Sequence, residues 1–450
     1  MEPVTTPGST PSSTPDSTPD STPDSTHGPD LEYRVLDLDA TEGPEKELLD
    51  AYGDAWSRGF HEGSLTDEQR EKWLAHSRAD RVTMRAALPT SSLASSPRPV
   101  GTFSSWDQQV NVGDGRLLPA HLISDVTVAP THRRRGVLSR LMRDDLTDAR
   151  DRGLPLAALT VSEGGIYGRF GFGAATRFRL VAVDVRPGRF ALHPFSDDGS
   201  LELLDPAEAQ PHVAEVFARH LASTRGEVDR PAFYELFGAG WDWEASGPDR
   251  ATRVVLHRDA AGLVDGYARW KHRSEGSGFS GGVVEVQGLL ALTATAYLRL
   301  WEFLGGVDLT ETVRAKIRLD DPLDVAVTDP RAVATESVRD MLWVRLLDVP
   351  TALEARPWRE DGSVVLDVAD RLGLAGGRFR VSTEKGAARV EPTTDPADVH
   401  LAVETLGALY LGDRRVGTLA AAGRVTGPGV EAFAAMADDA GPEPRCTTGF

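Results

Sequence analysis

Hydrophobic and polar positions along the chain change their spacing several times, and each change predicts a new strand or helix. Residues 100–106 and 121–129 show patterns typical of β-strands, and the turn-rich stretch 111–115 separates them. The hydrophobic residues that follow recur as on one face of a helix: Val137, Leu138, Leu141, Met142, Leu146 and Ala149. Gly153 is suited to end that helix, and another strand is predicted at 156–161. This succession is the smallest unit of a parallel or mixed α/β sheet.

The rest of the chain continues the alternation and divides into four regions. Further strands are predicted at 31–38, 341–345, 363–368 and 379–382, and helices around Trp56 and Trp73, at 289–304 and at 431–438. A Pro/Gly-rich passage and a later strand signal mark the boundaries between folded regions at 31–187, 188–335 and 336–450. Residues 1–30 contain three Ser-Thr-Pro-Asp repeats and almost nothing to bury, so we expect a disordered tail.

The charge balance narrows the range of partners. The 450 residues carry a formal charge of −19, and the predicted tail contributes only five acidic residues. Such a surface repels nucleic acid and anionic membranes and attracts cations, so neither nucleic acid nor a membrane is an expected partner. Any site for a polyphosphate must then be a local basic spot in an acidic body.

Cysteine and histidine usage narrows the chemistry further. Cys446 is the single cysteine, so no internal disulfide forms, and it is expected to be an incidental thiol. No stretch is apolar enough to span a bilayer and the N-terminus does not resemble a signal peptide, which predicts a cytoplasmic protein. The histidines are dispersed without metal-ligand spacing, so we expect no catalytic metal.

The strongest local motif is a strand, a basic glycine turn and an amphipathic helix in direct succession, over 126–138. A helix start presents unpaired backbone N–H groups and a positive dipole end, which favour an anion. Arg133, Arg134 and Arg135 add charge, and Gly136 lets a phosphate approach the main chain. These features favour a pyrophosphate cradle over a solvated loop. The Walker and dinucleotide-binding patterns are absent, which makes nucleotide hydrolysis and dinucleotide binding improbable.

The basic turn resembles the acetyl-CoA signature of the GNAT acetyltransferases, Arg-x-x-Gly-x-Gly/Ala, with Leu138 at its last position. The longer strings Val-Ala-Pro-Thr-His-Arg-Arg-Arg-Gly at 128–136 and Ser-Glu-Gly-Gly-Ile-Tyr-Gly-Arg-Phe-Gly at 162–171 are similar to the Eis branch of that superfamily. The stretches 349–356, 406–412 and 418–422 also resemble it. The resemblance therefore covers essentially the whole chain after the tail.

This resemblance implies an α/β (α+β) fold with tandem GNAT-like domains, a C-terminal sterol-carrier-protein-like domain, and assembly into a homohexamer. It also implies acetyl-CoA as the cosubstrate. By motif position, the strand backbone that would hold the pantetheine arm is Val126, Thr127 and Val128. The residues that would hold the pyrophosphate are Arg134, Arg135, Gly136, Val137, Leu138 and Ser139. Ser162 and Glu163 would line the other side of the slot.

The resemblance also implies direct transfer, with Tyr167 as general acid and the terminal carboxylate of Phe450 as general base. An amine that attacks a thioester must lose a proton, and the departing thiolate must gain one. A phenol can protonate a thiolate. A terminal carboxylate drawn into an apolar pocket becomes a stronger base, and a terminal Phe fits such a pocket.

The expected acceptors are polycationic amines such as aminoglycosides. Lysines of proteins or peptides are the alternative acceptors, and a non-catalytic sensor of acyl-CoA or lipid is the alternative function. Gly449 and Asp125 stand where aminoglycoside-acetylating relatives carry other residue types, which puts the substrate range in question. Asp54 and Trp56 are candidate contacts for the acceptor. Part of the negative charge is expected to line the acceptor cleft.

Overall fold

The computed structural model describes residues 31–274, 281–438 and 441–450. The tail predicted to be disordered, at 1–30, lies outside the described residues. The described chain forms two seven-stranded sheets, one five-stranded sheet and a small two-stranded ribbon. None of the helices in these ranges is both long and apolar enough to cross a lipid bilayer.

The first sheet has the strand order β1-β2-β3-β4-β5-β16-β6, with elements numbered along the chain. Its strands are β1 (Leu31–Val35), β2 (Thr83–Pro89), β3 (Gly101–Gly113), β4 (Arg116–Val128), β5 (Leu156–Thr160), β6 (Gly173–Ala174) and β16 (Leu342–Leu346). Its helices are α1 (Gly43–Gly59), α2 (Asp67–Ala79) and α3 (Val137–Asp151). β4 and β5 are parallel neighbours joined by α3, which confirms the predicted strand–helix–strand unit.

The second sheet has the order β15-β7-β14-β13-β12-β11-β8. Its strands are β7 (Arg177–Asp184), β8 (Ser200–Leu204), β11 (Arg253–Arg258), β12 (Val264–Ser274), β13 (Gly282–Ala291), β14 (Thr312–Ile317) and β15 (Val333–Asp340). The ribbon pairs β9 (Trp241–Asp242) with β10 (Gly247–Pro248). The helices of this region are α4 (Pro206–Ser223), α5 (Phe233–Gly238), α6 (Ala294–Gly305) and α7 (Leu323–Ala326).

The third sheet has the order β19-β18-β17-β20-β21. Its strands are β17 (Gly362–Ala369), β18 (Gly377–Glu384), β19 (Ala387–Pro392), β20 (Val399–Ala402) and β21 (Val425–Thr426). Its helices are α8 (Val349–Ala355), α9 (Val403–Leu409), α10 (Val416–Ala421) and α11 (Val430–Ala437). The cores of the first and third sheets are continuous, because buried residues of both belong to one hydrophobic cluster.

Strands are exchanged between the three regions. β7 precedes the predicted boundary at 187 yet pairs with β14 and β15 of the second sheet. β16 follows the boundary at 335 yet lies between β5 and β6 in the first sheet. The predicted regions therefore contribute strands to the sheets of other regions, and the domain limits at 187 and 335 stay predictions.

The α3 helix follows its sequence pattern. Val137, Leu141 and Leu146 are almost completely buried against the first sheet. Leu138 is only partly buried, because it turns toward the end of β4 where a groove opens. Gly153 adopts a φ of +83°, a conformation that favours glycine where a helix ends.

The predicted helix at 289–304 is wrong at its beginning. Leu289 and Leu290 continue β13 and pair with β12, so the helix α6 begins only at Ala294. The Thr293 side chain caps it by accepting a hydrogen bond from the Ala296 N–H at 3.1 Å. A run of leucines satisfies a strand and a helix face equally over such a short span, so periodicity could not place the boundary.

A buried charged cluster centred on His121 fixes α3 against the strands. His121 Nδ1 lies 2.8 Å from Asp107 Oδ1, and its Nε2 lies 2.7 Å from Asp145 Oδ2. Burial opposes the charge on the imidazole, but the hydrogen bonds and charges of both carboxylates raise the pKa of His121 to about 9. Asp145, on α3, also accepts hydrogen bonds from Ser105 Oγ and Arg85 Nε.

We expect His121→Gln to lower the free energy of unfolding by roughly 3 kcal/mol near neutral pH, because the completely buried Asp145 then keeps only Arg85 as an ion-pair partner among the described residues. The pKa of His121 is about 9 in the folded protein and about 6.5 in the unfolded chain. The contribution of His121 to stability is therefore complete below about pH 6.5 and is lost as the pH rises through about 9. Urea denaturation across this window, with His212→Gln on α4 as control, measures the effect. A constant difference between wild type and His121→Gln at all pH values would contradict the assignment.

Candidate functional site

The site begins where two parallel strands separate. β4 and β5 pair from Ala120 to Ile123 on one strand and from Leu156 to Leu159 on the other, and the pairing stops there. The register between β3 and β4 shifts at the same level, and Asp125 adopts a φ of +51°. A bulge of this kind bends a strand and ends its pairing. The separation leaves a wedge between the strand ends, with backbone groups of β4 free to bind a ligand.

A groove of about 580 Å³ runs from this wedge to the start of α3. Ten of the eleven predicted acetyl-CoA-binding residues line it: Val126, Thr127, Val128, Arg134, Gly136, Val137, Leu138, Ser139, Ser162 and Glu163. Arg135 belongs to the same loop but is exposed and does not line the groove. Arg133 does line it, which the motif position did not predict.

The basic end of the groove is built for an anion. Arg134 and Gly136 have φ values of +61° and +75°, so the loop turns sharply before α3 begins at Val137. The space in front of the Gly136 main chain is open, with no atom within 4 Å of the place where a Cβ would stand. Unpaired N–H groups at the helix start and the arginine side chains can therefore approach the same phosphate oxygens.

Tyr167 lies where the groove meets a smaller chamber of about 230 Å³. Its ring packs edge-on against Phe172 at a centroid distance of 6.4 Å. Burial, and then the negative charge of Glu163, raise the pKa of Tyr167. The phenol is therefore protonated at neutral pH and can donate a proton into the chamber.

Phe450 also lines this chamber. Its terminal carboxylate accepts a hydrogen bond from the Thr160 hydroxyl, and its N–H donates to the same Oγ1 at 3.3 Å. The Phe450 ring packs edge-on against Trp106, with a centroid distance of 5.8 Å. The structure thus brings together Tyr167 and the chain end, which lie 283 positions apart in the sequence.

A buried carboxylate holds the segment that leads to Phe450. Glu227 accepts hydrogen bonds from the N–H groups of Thr447, at 2.9 and 3.0 Å, and Thr448, at 3.1 Å. Burial opposes its ionisation, but the hydrogen bond to His220 and those from the tail lower the pKa of Glu227 to about 2. Gly449 is held next, because its N–H donates to the Tyr234 hydroxyl at 2.7 Å.

A third cavity, of about 280 Å³, is also lined by Phe450. Its lining is rich in aromatic rings: Trp56, Trp73, Trp106, Phe233, Phe237, Trp243 and Phe450. Three further carboxyl side chains line it, those of Glu62, Asp80 and Asp125, and none of its described lining residues is Lys or Arg. Aromatic faces and carboxylates together favour ammonium groups.

The pKa values of several titratable groups are shifted in this third cavity, which we call the acceptor pocket after the role proposed for it below. Asp125 lines both the acceptor pocket and the chamber, and burial raises its pKa to about 6 although Ser104 and Ser124 hydrogen-bond to it. Burial, and then Lys72, lower the pKa of His76 to about 4, so this lining histidine is neutral at pH 7. Burial also raises the pKa of Asp80, another lining carboxyl group. The described lining residues of the pocket therefore supply acidic groups and no Lys or Arg.

Two residues singled out from the sequence take different places. Trp56 lines the acceptor pocket, whereas Asp54 pairs with Arg70 at 3.0 Å and lies outside that lining. Cys446 is buried, and its thiol donates to the Thr448 carbonyl at 3.2 Å. Among the described residues, no group of three or more potential ligand side chains could hold a metal ion.

Sequence reasoning missed most of the acceptor pocket and the residues that hold the tail. Asp80, Phe233 and Glu227 lie in separate elements, and each local sequence is unremarkable for a strand, helix or loop. The one signal of this pocket in the sequence was its tryptophan content, since four of the nine tryptophans line the pocket.

Family models match three parts of the chain. Two described as acetyltransferase (GNAT) domains match residues 44–175 and 226–346, and one described as a sterol carrier protein domain matches residues 349–447. Together with the three sheets, these matches confirm the predicted fold class.

Relatives match along most of their length. An uncharacterized N-acetyltransferase of Streptomyces griseus is 38% identical over 385 residues, which is 82% of this chain and 90% of the relative. The N-acetyltransferase Eis of Mycobacterium tuberculosis is 36% identical over 72% of this chain and 79% of its own. The crystal structure of Eis1 from Mycobacterium abscessus is 29% identical, with a TM-score of 0.74 over 93% of this chain and all of that one.

We expect Glu227→Gln to loosen the C-terminal segment, because a neutral amide is a weaker acceptor for the Thr447 and Thr448 N–H groups. Hydrogen exchange at these two amides should speed up at least about tenfold. Glu208→Gln, an exposed residue on α4, removes the same charge away from the tail and serves as control. Equal exchange in wild type and Glu227→Gln would show that the carboxylate does not hold the tail.

Proposed function

The chain belongs to the Eis family of GNAT N-acetyltransferases and uses acetyl-CoA as its cosubstrate, and we propose that it acetylates primary amines of polycationic acceptors such as aminoglycosides. The observation that carries this proposal is the acceptor pocket, whose lining combines carboxylates and aromatic rings and lacks lysine and arginine. It adjoins the chamber shared by Tyr167 and Phe450. A polyamine held there would present an amine to the place where we expect the acyl group.

The residues of the groove fit acetyl-CoA. The wedge between β4 and β5 offers the backbone of Val126 to Val128 to the pantetheine arm, and the turn before α3 offers Arg134 and Gly136 to the pyrophosphate. The groove is open at that turn, as a bulky diphosphate requires. When bound, acetyl-CoA supplies an activated acetyl thioester.

We assign the two proton transfers to two groups that line the chamber. The Phe450 carboxylate is the base that takes the proton of the acceptor ammonium, and the Thr160 hydroxyl holds it in position. The Tyr167 hydroxyl is the acid that protonates the departing thiolate of CoA. Its raised pKa keeps the proton on the phenol at neutral pH, so that the hydroxyl is available as a proton donor when the thiolate forms.

The acceptor pocket favours several positive charges on one molecule. Glu62, Asp80 and Asp125 lie on different elements around the lining, so a rigid polyamine can contact more than one of them. An amine with a single positive charge is attracted by fewer of these carboxylates at once. Tryptophan faces add cation–π contacts of about 0.5–2 kcal/mol each.

The homohexameric state implied by the family resemblance and the cytoplasmic location expected from the sequence are part of the same proposal. Analytical ultracentrifugation of the full chain measures the first, and cell fractionation measures the second. A monomer, or a protein recovered outside the cytoplasm, would contradict them.

We expect Tyr167→Phe to lower kcat by about a hundredfold, because the thiolate then leaves without its acid. Adding one glycine after Phe450 moves the carboxylate and should have a comparable effect. Thiol release from acetyl-CoA measures both. Tyr33→Phe on β1 and an extension at the N-terminus are the matched controls. Full activity with the added glycine would contradict the assignment of the terminal carboxylate as base.

The acceptor assignment predicts an order of substrates. Aminoglycosides should have a kcat/KM at least about tenfold above that of a lysine peptide or a monoamine, because they engage several carboxylates. Raising ionic strength should raise KM for aminoglycosides more than for the monoamine. Turnover of the lysine peptide alone would favour the protein-acetylating alternative.

The same panel applied to Asp125→Asn isolates one contact. Removing this carboxylate should raise KM for aminoglycosides about tenfold, which corresponds to about 1.4 kcal/mol, with a smaller effect on the monoamine. Asp198→Asn, on an exposed loop, is the control for the change in net charge. An unchanged KM in Asp125→Asn would show that the acceptor does not contact this residue.

A further inference from the structure

The second sheet repeats the strand separation of the first. β13 and β14 are parallel neighbours that pair from Val283 to Glu285 and from Thr312 to Arg314, and then diverge. A cavity of about 390 Å³ lies beyond the point of separation, lined by 285–290 of β13 and 316–318 at the end of β14. In open α/β sheets, ligands bind beyond the carboxyl ends of diverging strands.

The charge of this cavity is opposite to that of the chain. Its charged lining residues are five cations and one anion: Arg177, Arg230, Lys316, Arg318, Arg445 and Glu285. The whole chain carries −19, so cations gathered on one lining stand out against the surface charge. The lining therefore attracts anions, in contrast with the lining of the acceptor pocket.

Three of the five cations form no salt bridge to a carboxylate among the described residues, although the charge of Glu227 acts on Arg230. The guanidinium of Arg230 lies over the Phe217 ring, at 3.9 Å from its centroid. Its Nη2 donates to Tyr267 Oη at 3.0 Å, and its buried Nε has no hydrogen-bond partner. Lys316 lies 5.1 Å from the Phe178 ring centroid, and Arg445 donates to a backbone carbonyl.

An anion in the cavity can reach these three cations, because Lys316 is exposed and Arg230 and Arg445 are half-buried, and hydrogen bonds between charged groups are strong. The other two cations already have partners outside the lining, because Arg177 pairs with Asp413 and Arg318 with Asp320. The unpaired set is therefore suited to one added anionic group.

The rest of the lining limits the size and nature of that anion. Phe178, Tyr267, Leu289 and Met341 supply apolar surface beside the cations. β13 is followed by Thr293, which caps α6 directly, and not by a basic glycine turn. The pyrophosphate cradle of the first groove is therefore missing here.

We propose that this cavity binds a small organic anion, with one phosphate or carboxylate group held by Arg230, Lys316 and Arg445 and an apolar body against the aromatic and aliphatic lining. The C-terminal segment forms one wall, through Arg445 to Thr447 and Gly449. An occupant therefore contacts the segment that ends in Phe450. Any effect of the occupant on catalysis rests on the function proposed above, whereas binding of the occupant to this cavity does not.

Isothermal titration with phenyl phosphate tests the site, with CoA present at saturation so that the first groove is filled. Phenylacetate tests the carboxylate form, inorganic phosphate tests the charge alone, and benzyl alcohol tests the apolar body alone. We expect saturable binding of phenyl phosphate or phenylacetate to one site, and at least about tenfold weaker binding of inorganic phosphate and benzyl alcohol.

The double variant Lys316→Gln/Arg445→Gln should weaken that binding at least about tenfold. The matched control is Lys385→Gln/Arg389→Gln, which removes two exposed cations from the β18–β19 hairpin. Absence of saturable binding of both aromatic anions, or equal weakening in the two double variants, would overturn the proposal.

Hydrogen exchange separates the site from its effect on the tail without measuring turnover. Saturating phenyl phosphate should slow exchange at the amides of Thr447 to Phe450 in wild type and not in Lys316→Gln/Arg445→Gln. Binding without slower exchange would overturn the contact with the tail. Loss of acetyl transfer in Tyr167→Phe leaves both of these measurements unaffected, so the two proposals can fail independently.

Discussion

The position of the last residue is the constraint on which the proposed active site depends. A free chain end frays, because few contacts offset the entropy of ordering it. Here Glu227 holds the N–H groups of Thr447 and Thr448, and Thr160 holds both the N–H and the carboxylate of Phe450. Glu227, which clamps the segment, belongs to the second region of the chain, whereas Thr160, which contacts Phe450, belongs to the first. The candidate base is thus in place only when these two regions are docked together.

Strand exchange supplies that docking. β16 enters the first sheet from the C-terminal part of the chain, and it carries Arg345, which is completely buried. Arg345 donates to the Phe170 carbonyl, beside the Tyr167 turn, and to Asp370 Oδ2 at 2.7 Å in the third region. Gly171 leaves room for this guanidinium, because a Cβ there would overlap it, and its φ of +86° favours glycine. The turn with the candidate acid is therefore fixed by a strand far away in sequence.

Charge is distributed between two cavities that are both lined by residues of the C-terminal segment. The acceptor pocket gathers Glu62, Asp80 and Asp125, whereas the cavity of the second sheet gathers unpaired cations. Each results from strands and loops that come from different regions. A net charge of −19 could indicate the preference for cations but could not show where an anion would bind. A cationic acceptor and a small anion, bound as proposed above, would occupy different cavities of one chain.

The sequence by itself determined the features whose parts are neighbours along the chain. The strand, basic turn and helix of 126–151 could be predicted because backbone geometry, helix dipole and apolar periodicity are local properties. The family resemblance added Tyr167 and Phe450 as candidates but not their proximity. Only the tertiary structure decided the acceptor pocket, the Glu227 clamp and the start of α6, because each depends on burial and on partners from distant strands. Glu227 is a buried, ionised carboxylate solely because His220 and the tail surround it, and no local pattern records such neighbours.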